Sequence, residues 1–304
     1  MRKAEGASSP AGAGDSGAYQ ALLQGLFVAF WSTGFIAGKY GLPFAGPFTF
    51  LFVRFLIVIG LLGAIALVMR APWPKLEDIP NIAIGGVFVH AGYLGATFAA
   101  LSVGVEAGVA SLMAGLQPLL TAMLAGPFLG ERVAMRQWAG LLLGFAGVAL
   151  VVNTKLGQGL GTPAGMLFAF LSAVFMTAGT LWQKRFGGKM DLRTGSVVQF
   201  AASAMVISPL VFWLEGFRLE WSPTFAAALL WLCLVLSVGT ISLLFVIIRR
   251  GASVEVASLF FLVPPTTALM GWALFGETLN TAAAIGMACV AFAVAMVTWK
   301  RAPR

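Results

Sequence analysis

The chain has 304 residues, 60% of them hydrophobic and 10% charged, with a formal net charge of +8. Soluble domains carry about 25% charged residues, so there is too little polar surface here to cover the apolar mass in water, and the composition points to lipid as the solvent. The positive balance does not read as nucleic-acid binding, because the basic residues fall in short clusters between long apolar runs, with no basic stripe interleaved with aromatics.

Residues 1–20 are rich in Ala, Gly and Ser, carry Arg2 and Lys3, and read as a flexible cytoplasmic tail. The apolar run after them is too long for a signal-peptide core and lacks a small-residue cleavage site, so it reads as a retained first span. A helix crossing roughly 30 Å of hydrocarbon needs about 20 residues. Ten stretches qualify: 21–39, 48–69, 81–101, 107–128, 135–153, 163–183, 194–214, 225–248, 254–275 and 281–299. They are too long for strands and lack period-2 alternation, which predicts an all-α membrane protein of ten transmembrane helices. The two cysteines, Cys233 and Cys289, lie inside apolar runs and read as small hydrophobes.

The basic residues orient the chain. With the N-terminus inside, the inner segments hold 15 of the 19 Lys and Arg, the outer loops hold only Lys39, Lys155 and Arg218, and Arg54 falls within the second span. This bias predicts that both termini are cytoplasmic, and a different number of spans would scramble it.

The chain also repeats itself. GVEAGVASLMAGLQP (104–118) parallels GASVEVASLFFLVPP (251–265), PFLGER (127–132) parallels ALFGET (273–278), and Gly140 parallels Gly286. The chain divides into a first five-helix repeat over 21–155 and a second over 156–304. Five is odd, so the second copy enters the membrane from the opposite side, and inverted repeats are a transporter architecture. With these features the chain resembles the paired EamA domains of the drug/metabolite transporter superfamily. The opening FWSTGFIAGKYGLP and the basic IIRRG also fit. The resemblance implies a ten-helix exporter of small metabolites in a bacterial inner membrane, closest to the aromatic amino-acid exporter type.

Every acidic residue lies in the tail, in a loop or at a span end. A carboxylate relay needs one at depth, so either facilitated exchange or coupling through His90, the only histidine, is expected. Most tryptophans fall near span ends, as interfacial belts do. Trp31 is at mid-span, with Ser32 and Thr33 beside it as cavity candidates, and so is Tyr93. His90, Tyr93 and Thr97 are spaced i, i+3, i+7, which puts them on one helix face, with Gly86 on the same side. Such a polar stripe either ties two helices together or walls a central cavity, where an imidazole, an indole and a phenol would suit a zwitterion with an apolar side chain.

Gln117 and Gln199 are further polar mid-span candidates for the cavity, with Ser111 and Ser258 at equivalent points of the two halves. Arg54 either binds a substrate carboxylate or snorkels toward the outer face. Pro118 and the repeat-equivalent Pro265, with Pro264, interrupt the fourth and ninth spans, as hinges or static kinks. GLLLG (140–144) is a small-xxx-small packing motif. The expected partners are a small-molecule substrate and the bilayer, with no cofactor, no metal and no nucleic acid, and a monomer suffices for transport. A carrier of bulky cationic drugs is the alternative. An intramembrane lipid enzyme is a remote one, since the chain has no HExxH, no GxSxG and no acid pair beside its histidine.

Overall fold

A computed structural model of the protein describes residues 12–130, 134–154, 161–186, 190–240, 243 and 259–298. Among the described residues the chain is helical apart from its connections and one isolated bridge, Ala45 to Leu219. The described residues form ten helical segments in succession: α1 Gly12–Gly41, α2 Pro47–Val68, α3 Ile79–Ser102, α4 in two pieces Ala107–Ala114 and Gln117–Leu129, and α5 Met135–Thr154. The second half holds α6 Pro163–Phe186, α7 Leu192–Leu214, α8 Pro223–Thr240, α9 as a 3₁₀ turn Phe260–Leu262 leading into Val263–Phe275, and α10 Thr281–Thr298. Six of the described segments, in α2, α3, α4, α6, α7 and α8, are long and apolar enough to cross a membrane on their own.

The helix starts are written locally. Proline occupies the first helical position of α2, α6 and α8, where its missing N–H would have had no intrahelical partner. Thr162, Ser222 and Asn280 accept from the backbone N–H groups of Gly165, Phe225 and Ala283 and so cap α6, α8 and α10. The helix α1 begins at Gly12, so the later part of the expected flexible tail is helical. Adding turns to a helix already nucleated by an apolar span needs no new nucleus. The prolines of α4 and α9 stand at matching points: Pro118 is the second residue after the Gly115–Leu116 turn, and Pro264 and Pro265 follow the 3₁₀ turn of α9. Both helices restart where a proline needs no N–H partner.

Among the described residues three stretches are wound as π-helix: Val87–Leu94 in α3, Leu210–Leu214 in α7 and Leu232–Thr240 in α8. In α8 the hydroxyls of Ser237 and Thr240 donate to carbonyls five residues back, Leu232 at 3.1 Å and Val235 at 2.8 Å, which matches the wider ladder.

The packing has the symmetry that the repeat predicts. Helices α2 and α7, α4 and α9, and α5 and α10 pair with each other, so each of these helices meets its own repeat counterpart. Likewise α1 packs on α8 and α9, as α6 packs on α3 and α4. In the α5–α10 contact a Cβ at Gly147 would lie 2.7 Å from the Gly286 carbonyl, so glycine sets that close approach; Gly140 and Gly144 are buried on α5. Around α2 and α7 the core is aromatic, with Phe50, Phe55, Phe200 and Phe225 fully buried.

Two carboxylates tie the halves at the outer end, as the charge bias orients it. Glu215, after α7, accepts from the backbone N–H groups of Phe48 and Thr49 at 2.9 and 2.7 Å and from the Thr49 hydroxyl at 2.6 Å, which caps α2. Glu277, after α9, accepts from the N–H groups of Ala107 and Gly108 at 3.1 and 3.3 Å and from Lys39 at 2.6 Å. It caps α4, and the helix dipole favours a carboxylate there. Its repeat counterpart Glu131 and the Ser258 counterpart of Ser111 lie outside the described residues.

Candidate substrate cavity

A cavity of about 80 Å³ lies between α1, α2, α3, α7 and α8. That is several times the ~10–15 Å³ that holds one ordered water. Trp31, Arg54, His90, Tyr93, Thr97 and Ser237 bring the polar groups to its wall, and Phe35, Phe98, Phe200, Leu232 and Leu236 its apolar surface. The π-helical stretches of α3 and α8 supply His90, Tyr93, Leu236 and Ser237, and π turns recur at functional sites because they re-aim side chains. The i, i+3, i+7 spacing shares one face of a regular α-helix; here the helix is π-wound through Leu94, yet His90, Tyr93 and Thr97 still share the wall.

His90 is 8% exposed and its ring stacks on Phe200, centroids 4.0 Å apart and planes 21° apart. Gln199 adjoins it. Thr97 satisfies its hydroxyl on the Tyr93 carbonyl at 2.8 Å. Trp31 packs edge-on against Phe260 at 4.8 Å and separates the main cavity from a smaller one of about 20 Å³. Gln117 and Ser111 line that smaller space, and Trp31, Phe35 and Tyr93 border both. The Gln117 side chain is 3.4 Å from the Thr180 hydroxyl.

Other expected members stand elsewhere. Ser32 is fully buried and donates to the Val28 carbonyl at 2.7 Å and to Val263 of α9 at 3.3 Å. Thr33 faces a groove of about 540 Å³ between α1 and α8, where the Trp231 indole N–H donates to its hydroxyl at 2.8 Å. Successive helical residues point about 100° apart, so Trp31, Ser32 and Thr33 cannot share one wall. Gly86 is a packing position: a Cβ there would lie 2.5 Å from the Gln199 Cα.

Of the two expectations for Arg54, snorkelling does not hold: the side chain turns inward. It is 5% exposed, reaches the cavity, and donates from Nη2 to Ser237 Oγ at 3.1 Å, while its Nε has no partner. Among the described residues no carboxylate pairs with it. A signal was present in the repeat. FVRF (52–55) parallels VVQF (197–200), and the spacing that aligns 104–118 with 251–265 sets His90 opposite Ser237. Arg54 beside Ser237 is therefore the counterpart of Gln199 beside His90, and their neighbours Phe55 and Phe200 meet across α2 and α7 at 5.4 Å. The polar site lies between the two repeats where α2 and α7 meet, and transporters built from inverted repeats hold cargo at such an interface.

The EamA-like transporter family matches residues 19–153 and 163–299, one copy in each half. The uncharacterized inner membrane transporter YedA of Escherichia coli (strain K12) is 25% identical over 278 residues, 91% of this chain and 89% of its own. A probable amino-acid metabolite efflux pump of Salmonella typhimurium is 25% identical over 267 residues, covering 84% of this chain and 86% of its own. A crystal structure 23% identical, covering 92% of this chain and 96% of the other, superposes with a TM-score of 0.66 and has the same fold.

Proposed function

The chain belongs to the EamA-like transporter family, and from that premise we propose that it is a secondary transporter of the bacterial inner membrane exporting small amphiphilic metabolites, amino acids with aromatic or neutral side chains foremost. It works as a carrier and not an enzyme, by alternating access as the two inverted halves rock about the central cavity. The observation that carries this reading is the cavity between the two repeats, where polar groups of Trp31, Arg54, His90 and Ser237 share a wall with buried aromatic rings. Flat apolar faces would take the side chain of such a cargo, and the polar groups its charged head. The similarity to an inner membrane transporter and to a probable amino-acid metabolite efflux pump supports location and cargo class.

The test is efflux. Cells loaded with labelled phenylalanine, tryptophan or threonine should lose at least one of them faster with the protein than without, and a protonophore arm reads the energy source. Trp31→Ala and His90→Ala should slow that efflux while the protein still inserts in the membrane. No acceleration for any amino acid removes the cargo assignment.

A further inference from the structure

We propose that Arg54 is the anchor for a carboxylate on the cargo, so that the cavity selects monocarboxylates with a compact apolar body and does not require an amino group. This rests on reading the cavity as the cargo site. Three observations carry it. First, the guanidinium reaches the cavity, is 5% exposed, and makes one side-chain hydrogen bond, to a neutral hydroxyl at 3.1 Å. Its Nε is a buried donor without an acceptor. Second, a buried charge is normally paired, and among the described residues no carboxylate meets this one. A cargo carboxylate would supply the missing charge, and the planar fork of a guanidinium accepts it in two parallel hydrogen bonds.

Third, the wall is asymmetric in charge. Trp31, His90, Tyr93, Phe98 and Phe200 offer ring faces and edges, but no carboxylate of the described residues lines the cavity to receive an ammonium. A cationic cargo would place its charge beside an uncompensated guanidinium. An apolar acid meets both an anchor and an aromatic wall. The lone arginine therefore discriminates by sign, which sets this cavity against bulky cations and leaves the amine of an amino acid tolerated but unread.

The experiment uses the purified full chain in lipid nanodiscs and three probes that share one ring: phenylacetate, phenylacetamide and phenethylammonium. Binding is read from tryptophan fluorescence and from the shift in melting temperature. Phenylacetate is expected to bind at least about tenfold more tightly than the amide or the ammonium compound. Arg54→Gln should remove that preference, bringing phenylacetate binding to within about twofold of that of the amide. Arg54→Lys, which keeps the charge without the fork, should keep part of it and guards against a glutamine variant that does not fold. Equal binding of phenylacetate and phenylacetamide overturns the proposal, as does phenylacetate binding within about twofold of the original in Arg54→Gln, or no binding of phenylacetate at tens of millimolar. The amino-acid efflux assay fails independently: a protein that holds phenylacetate through Arg54 yet exports no amino acid keeps this site and loses the cargo class.

Discussion

Glu277→Ala should open the outer end of the molecule. In the structure this carboxylate, 7% exposed, holds the N-terminus of α4 through two backbone N–H groups and pairs with Lys39 of α1. Hydrogen bonds to a charged group are worth about 1.5–3 kcal/mol each. Lys39 is about a third exposed, so its pair is discounted for screening. Taking the lower figure for the two amides alone gives about 3 kcal/mol. At 1.4 kcal/mol per tenfold, that shifts the balance between closed and open outer ends by roughly a hundredfold.

Glu277→Gln keeps an acceptor but not the charge and should shift it by roughly tenfold. The assay is labelling of a cysteine placed at Thr97, on the cavity wall, with Cys233 and Cys289 replaced by alanine. A membrane-impermeant maleimide applied from outside should react far faster in the Glu277→Ala background. Labelling at the unaltered rate, in a protein that inserts normally, would refute the assignment of Glu277 as an outer tie.

Other expectations are more local. Gly86→Ala puts a Cβ 2.5 Å from the Gln199 backbone, so it should lower stability by about 1–3 kcal/mol in thermal unfolding and slow transport by separating α3 from α7. Pro118→Ala and Pro265→Ala, singly or together, should leave insertion intact and lower the efflux rate if the matched breaks in α4 and α9 flex during the cycle; unchanged rates assign them to static packing. Asp191 caps α7 by accepting from the Arg193 N–H at 3.0 Å, and the Arg193 guanidinium beside it, 2.6 Å away, holds its carboxyl below the usual carboxylate range. A depressed carboxyl stabilises the folded state above the ordinary carboxylate pKa and ceases to as pH falls through the lowered value. Asp191→Ala should therefore lower stability by about 1 kcal/mol at neutral pH, with the gap to the unaltered protein closing on acidification, as thermal melts at several pH values would show.

Much of this architecture is legible in the residues alone, for identifiable reasons. Span length, basic bias and the VASL repeat depend on composition along the chain, and those are local properties. His90 and Tyr93 stand out because an imidazole and a phenol are rare at depth. What stayed hidden depends on partners remote in sequence. Glu215 and Glu277 look like loop acids until their amide partners, 166 to 170 residues away, are brought to them. Arg54 looks like a snorkelling arginine near a helix start, because hydropathy measures depth and not which face a side chain takes. Ser32 and Thr33 adjoin Trp31 in the sequence, but helical rotation sends the three to different neighbours. The π turns of α3 and α8 have no pattern in their apolar letters.

The self-pairing of α2 with α7 has a consequence for how such a site can arise. Two identical five-helix chains inserted in opposite directions would make the same contacts around a true two-fold, as isologous interfaces do. Every residue near the axis would then appear twice. Such a dimer could have two guanidiniums in the site or none, and two at close range would repel each other. Joining the copies in one chain frees the second position to become Gln199 while the first stays Arg54, and lets His90 have Ser237 as its repeat equivalent. Fusion thus does more than link the halves: it turns a site with an even number of charges into one with a single charge and a direction.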